Sequence, residues 1–534
     1  MSRRRDDRRS PRRGVVLPST VAARVNPQNA AARGAVAGGV LAGMLARVAN
    51  DDEWRAWARQ VAHAGHCARP VRVRGGAAVV DTGTGEVRAE WSSAGEPDGV
   101  LLLACGDRRA AVCPSCAETY RRDTWQLVAA GLRGRAPRLP GGVDAVPASV
   151  AGHPVVLATF TAPGFGAVHR ASGEGPCRAR VGPLVCGHAV RRWCDARHGP
   201  GDPLVGRPLC WDCYDYAGHV LWHAAVPELW RRTVIYLYRA LARIGTERLG
   251  VPVTVRAVRT MLRVSYVKVA EYQRRGAIHL HAVIRLDGVD ADAGEAVTAP
   301  PGWADAAALG AAIGEAARRV RVPLPNVGAH VGMVARWGGQ LDVAPISDPA
   351  RAAAYLAKYA TKTAADTFAG LPARRLGRRE ITRIGRKVNN PHVMLLVLAC
   401  VRLGERPECA GLRLAEHAHA LGFRGHFATK SRWYSVTRAT LGAVRRAWRT
   451  RGRDRAGPDP WADTGADIGA DGQGDGGAVI VREWRYLGTG WARLGDADLA
   501  ATLARDHAAA REFADLVTVS RRPEAPAPAG VRGD

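Results

Sequence analysis

The sequence predicts an α+β fold in which a central antiparallel sheet carries helices on one side. Three observations predict it. Residues 265–288, SYVKVAEYQRRGAIHLHAVIRLDG, read as two strands joined by a turn at 273–276. The second strand alternates, with Ile278, Leu280, Ala282, Ile284 and Leu286 on one face and His279 and His281 on the other. The segment DPARAAAYLAKYATKTA, 348–364, is helical by composition, with Asp348 at the cap, Pro349 in the first turn and alanine through the interior.

Composition bounds the problem. The chain has 534 residues, 47% apolar and 24% charged, which excludes wholesale disorder and collagen-like repeats. The formal charge of +28 points to a polyanionic partner, most often nucleic acid. Only five of the 77 basic residues are lysines: Lys268, Lys358, Lys362, Lys387 and Lys430. The arginine excess matches the alanine, glycine and valine excess of a GC-rich coding background, so the rare lysines are the more pointed signal. No run of roughly 18 apolar residues exists, so no membrane span is expected.

Taken in order, 1–50 reads as a flexible basic arm. About twenty polar or mixed residues separate its arginines from the Ala/Gly stretch that follows, unlike a secretory signal. Residues 51–150 read as an N-terminal zinc-binding module. Cys113 and Cys116 form a C-x2-C knuckle, and Cys105 returns to it. Cys67 is the best fourth ligand, with His63 and His66 as rivals.

Residues 151–370 read as the main domain, beginning with an apolar strand at 155–162. An inserted cysteine cluster, 177–213, holds Cys177, Cys186, His188, Cys194, His198, Cys210 and Cys213. Cys210 and Cys213 anchor one half of a site. Either Cys194 with His198 or Cys186 with Cys194 supplies the other, and seven candidates allow one site or two. Clustered cysteines favour structural Zn2+ in a reducing compartment, hence the cytoplasm. Neither knuckle follows an H-x-E, which argues against a zinc deaminase.

Further elements are strands at 262–271 and 277–286, a helix at 303–320, strand material at 328–346 and the helix at 349–363. Residues 371–450 read as a basic helical region with a helix-turn-helix as its expected DNA reader. Residues 451–534 read as a Gly/Asp-rich linker, a short strand at 482–491 and a disordered tail.

The chemistry concentrates on the hairpin and the alanine-rich helix. Two imidazoles two residues apart on a strand point the same way and can share a divalent ion. Glu271, on the preceding strand, lies within a hairpin's reach as a third ligand. Two nitrogens and a carboxylate suit Mg2+ or Mn2+ with positions open for a phosphate oxygen. With 16 histidines in the chain, an isolated H-x-H is weak evidence. The helix adds to it, because Tyr355, Lys358 and Tyr359 stand at i, i+3 and i+4 on one face. A tyrosine attacks phosphorus and leaves a stable phosphotyrosine, and a nearby lysine can orient phenolate and phosphate. Lys268, on the strand leading to Glu271, reads as another pointer to this chemistry.

The order LATFTAP (157–163), IHLHAVI (278–284), YLAKYATK (355–362) resembles the three motifs of HUH-type rolling-circle replication initiators, in particular the group found on actinobacterial plasmids and integrative elements. The zinc-ligand segments, the CYDY block and KSRWYSVT (430–437) look like the same group. Phe160 departs from the aliphatic residue usual in the first motif. The resemblance implies a ferredoxin- or RRM-like nuclease fold. It also implies metal-binding by His279 and His281, Tyr355 as nucleophile, Lys358 as motif lysine and Tyr359 as second tyrosine. Such enzymes nick one strand at an origin, keep the 5′ end covalently and free a 3′-OH for synthesis, working with host helicase and polymerase. Two alternatives remain: an HUH relaxase or transposase, and a non-catalytic zinc-dependent DNA-binding regulator.

Overall fold

The computed structural model describes residues 27–134, 146–290, 296–385, 387–451 and 478–520. The chain divides into two compact units, Met1–Arg59 with Trp491–Asp534, and Gln60–Gly490.

The larger unit is built on a five-stranded antiparallel sheet. We label its strands β1 (Val155–Phe160), β2 (Leu262–Tyr272), β3 (Ile278–Gly288), β4 (Leu341–Pro345) and β5 (Ala428–Lys430), in the order β5-β2-β3-β1-β4. The predicted hairpin is β2–β3, turning at Gln273, where the Gly276 N–H bonds the Gln273 carbonyl at 2.9 Å. Gly276 has φ +80°, a left-handed turn conformation that favours glycine.

Helices cover both faces, and this corrects the expectation of helices on the opposite face alone. Leu280, Ala282, Ile284 and Leu286 pack with α2 (Tyr216–Leu249), α3 (Ala306–Arg319) and α5 (Pro391–Gly404). On the histidine face, Val267, Val269 and Val283 pack with α1 (Pro114–Arg133) and α4 (Pro349–Ala360). Asp348 caps α4 as expected, its carboxylate accepting from the Ala350 and Arg351 N–H groups. The histidine face is also pinned by a buried network. Arg285 donates from Nε to Asp287 Oδ1 at 2.6 Å, His153 Nδ1 lies 2.8 Å from the same oxygen, and Arg285 Nη1 donates to the Gly131 carbonyl on α1.

The basic helical region at 371–450 belongs to the same compact unit as the main domain. Residues 393–403 are apolar but for Arg402; Val393, Leu396, Val397 and Cys400 are buried where α5 packs on α2, while β5 extends the central sheet. The short strand at 482–491 belongs to Ala478–Thr489, which pairs with Val71–Asp81 in a second, four-stranded sheet.

In the smaller unit, Pro27–Val48 is helical, which corrects the expected arm; its alanines are strong helix formers. A second helix, Asp496–Ser520, precedes the expected tail. Arg47 and Asp496 form a buried two-pronged ion pair at 2.9 and 3.0 Å. The expected linker at 452–477 and the tail after 520 lie outside the described residues, as does 1–26. Among the described residues, no helix is long and apolar enough to cross a membrane.

Candidate functional site

Strand pairing assembles the central cluster. Glu271 stands directly opposite His279 in the β2–β3 register, and Thr159 on β1 stands opposite His281. Side chains of paired residues share a face, so Glu271, His279, His281 and Thr159 all meet the layer that holds α4. His281 Nε2 lies 2.8 Å from Glu271 Oε2, and its Nδ1 lies 3.1 Å from Thr159 Oγ1. The Tyr355 hydroxyl reaches the same ring, 3.3 Å from Nε2. Tyr359 stacks on it with centroids 5.6 Å apart and planes 28° from parallel.

Burial sets the electrostatics. It pushes His279 down to about 4, aided by the neighbouring His281, so this ring is neutral and can offer a lone pair. Its Nε2 is buried with no hydrogen-bond partner. Burial also raises the Tyr355 phenol well above its ordinary value, with Tyr359 and Glu271 adding to the shift. Tyr359 is raised by burial and then by Glu271. Both phenols are therefore held protonated beside a carboxylate, an arrangement that a cation would reverse.

The donor set suits a hard divalent ion, with a neutral imidazole left unsatisfied beside an imidazole–carboxylate pair. Glu271 and His281 are already paired, while the His279 ring lies with its centroid 6.1 Å from that of His281.

Lys358 is exposed, and its Nζ lies 5.7 Å from the Tyr359 ring centroid. Lys362, at 5.2 Å, flanks the same ring and was not among the predicted site residues. Lys268 is displaced from the chemistry. One residue out of phase with Val267 and Val269, it faces the other helical layer, 5.7 Å over Trp230, and burial pushes it down to about 8.

Among the described residues, three cysteine/histidine quartets lie elsewhere in the larger unit. The first is the predicted set, Cys67, Cys105, Cys113 and Cys116. Its Sγ–Sγ separations are 3.6–3.7 Å, close to the roughly 3.8 Å edge of a tetrahedron with Zn–S bonds of about 2.3 Å. The crowding pulls the Cys113 thiol down through its hydrogen bond with Cys116 and pushes Cys116 up.

The inserted cluster resolves into two quartets: His169, Cys177, Cys194 and His198, and Cys186, His188, Cys210 and Cys213. This corrects both proposed pairings, because Cys194 and His198 do not join the Cys210–Cys213 knuckle; Cys186 and His188 do. In the first of these quartets His169 Nδ1 and His198 Nε2 are 3.2 Å apart, and Asp202 orients His198 through its other nitrogen at 2.7 Å. His169 was missed, since it belongs to no close-spaced cysteine motif. All eleven cysteines are free of disulfides.

The family model described as "Replication initiator protein, pSAM2" (RepSA) matches residues 53–505. A curated relative from Streptomyces ambofaciens, named "Replication initiator protein", is 40% identical over 483 residues, covering 88% of this chain and 94% of that protein. The chain belongs to this replication initiator family. No solved structure matches it. The matched span contains the hairpin, the tyrosine helix and all three quartets, so the cluster around His281 lies within the part that defines the family.

Proposed function

We propose that the chain initiates rolling-circle replication by nicking one DNA strand at an origin, with Tyr355 as nucleophile. One observation carries the reading: the Tyr355 hydroxyl rests 3.3 Å from His281, which is itself paired to Glu271. In the reaction the phenolic oxygen bonds to the scissile phosphorus and the bond from phosphorus to the 3′ oxygen breaks. The phenol loses its proton and the departing 3′ oxygen gains one. The 5′ end stays on tyrosine, and the 3′-OH is free to prime synthesis.

His279, His281 and Glu271 would hold Mg2+ or Mn2+, which supplies Lewis acidity at a non-bridging phosphate oxygen. The protein's own residues do the rest. Helix α4 fixes Tyr355 in line with the cluster, and Thr159 orients His281. Lys358 and Lys362 place positive charge beside Tyr359, where a second transfer can start. The quartets would hold structural Zn2+. This reading puts the chain in the cytoplasm, on origin DNA, with host helicase and polymerase acting next.

A relaxase is disfavoured by the tyrosine helix following the histidine strand, and a transposase by the length of the chain, 534 residues. A non-catalytic regulator gives no reason for two tyrosines to meet His281. The test is incubation with single-stranded origin DNA and Mn2+, followed by a denaturing gel. A covalent adduct should form, vanish in Tyr355→Phe, and vanish in His279→Ala while duplex binding persists. An undiminished adduct in Tyr355→Phe removes the assignment.

A further inference from the structure

We infer that single-stranded DNA leaving the tyrosine cluster passes Arg274 and enters a basic cleft walled by the second zinc-binding segment. The inference rests on the strand-nicking reading and adds a substrate path to it.

Two cavities carry it. One, of about 250 Å³, is lined by Glu271 and Lys362 of the tyrosine cluster and by Arg274. The other, of about 470 Å³, lies among the end of β1, the β2–β3 turn and the His169–Cys177 loop; its lining includes Arg170, Arg178 and again Arg274. That volume is in the range of ligand sites, roughly 300–1,000 Å³. Arg274 borders both, so the two hollows adjoin at the turn of the hairpin that carries His279 and Glu271.

The charge of the larger cleft is one-sided, with four arginines and no carboxylate in its lining. Arg170 and Arg178 are tethered at one end only: their Nε atoms donate to the Cys177 and Val168 carbonyls at 2.6 and 2.8 Å. That leaves the outer guanidinium nitrogens for a ligand. Arg274 is exposed and makes no side-chain hydrogen bond or ion pair among the described residues. Forked guanidiniums spaced along a groove suit successive phosphodiesters.

The fold maintains this junction actively. A Cβ on Gly206 would meet the Arg274 carbonyl carbon and oxygen at 2.4 Å, so only glycine lets the zinc-binding segment close on the turn. The zinc-binding segment thus helps form the cleft that lies next to the reactive cluster.

The experiment uses the full chain with Tyr355→Phe, so that no cleavage intervenes, and fluorescein-labelled oligothymidylate of twelve nucleotides. Anisotropy is read across a salt series. Arg274→Gln and Arg178→Gln should each weaken binding several-fold and flatten the slope of log K against log salt by about 0.7, the value for one lost single-strand phosphate contact. Arg256→Gln, on an exposed site in the helix Val255–Met261, should change neither. Zinc content measured on each variant confirms an intact module. Wild-type affinity and slope in both cleft variants overturn the inference, whatever the adduct gel shows. Loss of binding in the cleft variants, with no adduct from the Tyr355-containing protein, instead overturns nicking and leaves the strand path standing.

Discussion

Arg108 Nη1 donates to the Ala360 carbonyl at 3.1 Å and to the Lys362 carbonyl at 3.4 Å. Arg108 lies in the loop between Cys105 and Cys113, while Ala360 ends the tyrosine helix. The guanidinium satisfies carbonyls that a helix C-terminus leaves open and complements its partial negative charge. Its neighbour Arg109 donates to the Ala373 carbonyl, so the loop holds the chain on both sides of Lys362. The first quartet is therefore tied directly to the position of Tyr355 and Tyr359.

Arg108→Ala should slow covalent adduct formation by about tenfold, since hydrogen bonds from charged groups contribute roughly 1.5–3 kcal/mol. Single-turnover adduct formation and duplex binding should be measured together. A positioning role predicts a slower adduct with unchanged duplex affinity, and rescue in part by Arg108→Lys. Equal rates in wild type and Arg108→Ala would exclude it.

Elemental analysis should find three zinc equivalents per chain. Cys113→Ser, Cys177→Ser and Cys210→Ser should each remove one, because each belongs to a different quartet. Two equivalents in the wild type, with one of these variants unchanged, would remove that quartet from the metal sites.

Much of this site was legible from local pattern. Strict alternation along 278–286 put both histidines on one face, and the hairpin turn set the register that pairs Glu271 with His279. Close-spaced cysteines marked the first quartet. What escaped was non-local. β5 is three residues long and joins β2 from about 160 positions away, so no local period announces it. His169 reaches its quartet through a loop fold. Lys268 was misassigned because nearness along a strand ignored its alternation. α2 went unremarked although Asp215 caps it and Gly250 closes it in a left-handed conformation.

Stability should fall as the pH drops from about 6.5 to 4. His219 and His223 are buried on α2 against the β3 end of the hairpin. Tyr214 OH donates to His219 Nδ1 at 2.9 Å, the two Nε2 atoms are 3.3 Å apart, and His223 Nδ1 donates to the Leu421 carbonyl at 2.7 Å. The Ile278 N–H also donates to His223 Nε2 at 3.2 Å, beside His279. Burial pushes His223 down to about 4 and holds His219 well below the ordinary imidazole range. Unfolded histidines take up protons in this window while the folded ones do not, so acid favours unfolding. Complete loss of the His223 contribution amounts to roughly 3 kcal/mol. Urea midpoints at pH 7.5 and 5 should differ less in His223→Gln than in wild type. Equal differences would mean that His223 does not carry the effect.

Thr159 sets the last prediction, because its hydroxyl can serve either tautomer of His281. With Glu271 accepting at Nε2, that nitrogen carries the proton and Nδ1 accepts from Thr159. Were Nε2 to offer its lone pair to an ion, the proton would sit on Nδ1 and Thr159 would accept it. A hydroxyl rotates between these roles at little cost, whereas an amide or carboxylate would favour one. Thr159→Val keeps the shape of the strand and removes both options. Mn2+ affinity, read by electron paramagnetic resonance of the free ion, should drop by about 10- to 100-fold, the usual cost of losing a partner that orients a metal-binding histidine. Thr159→Ser should recover most of it. Undiminished Mn2+ binding in Thr159→Val would show that His281 does not depend on this hydroxyl to present its lone pair.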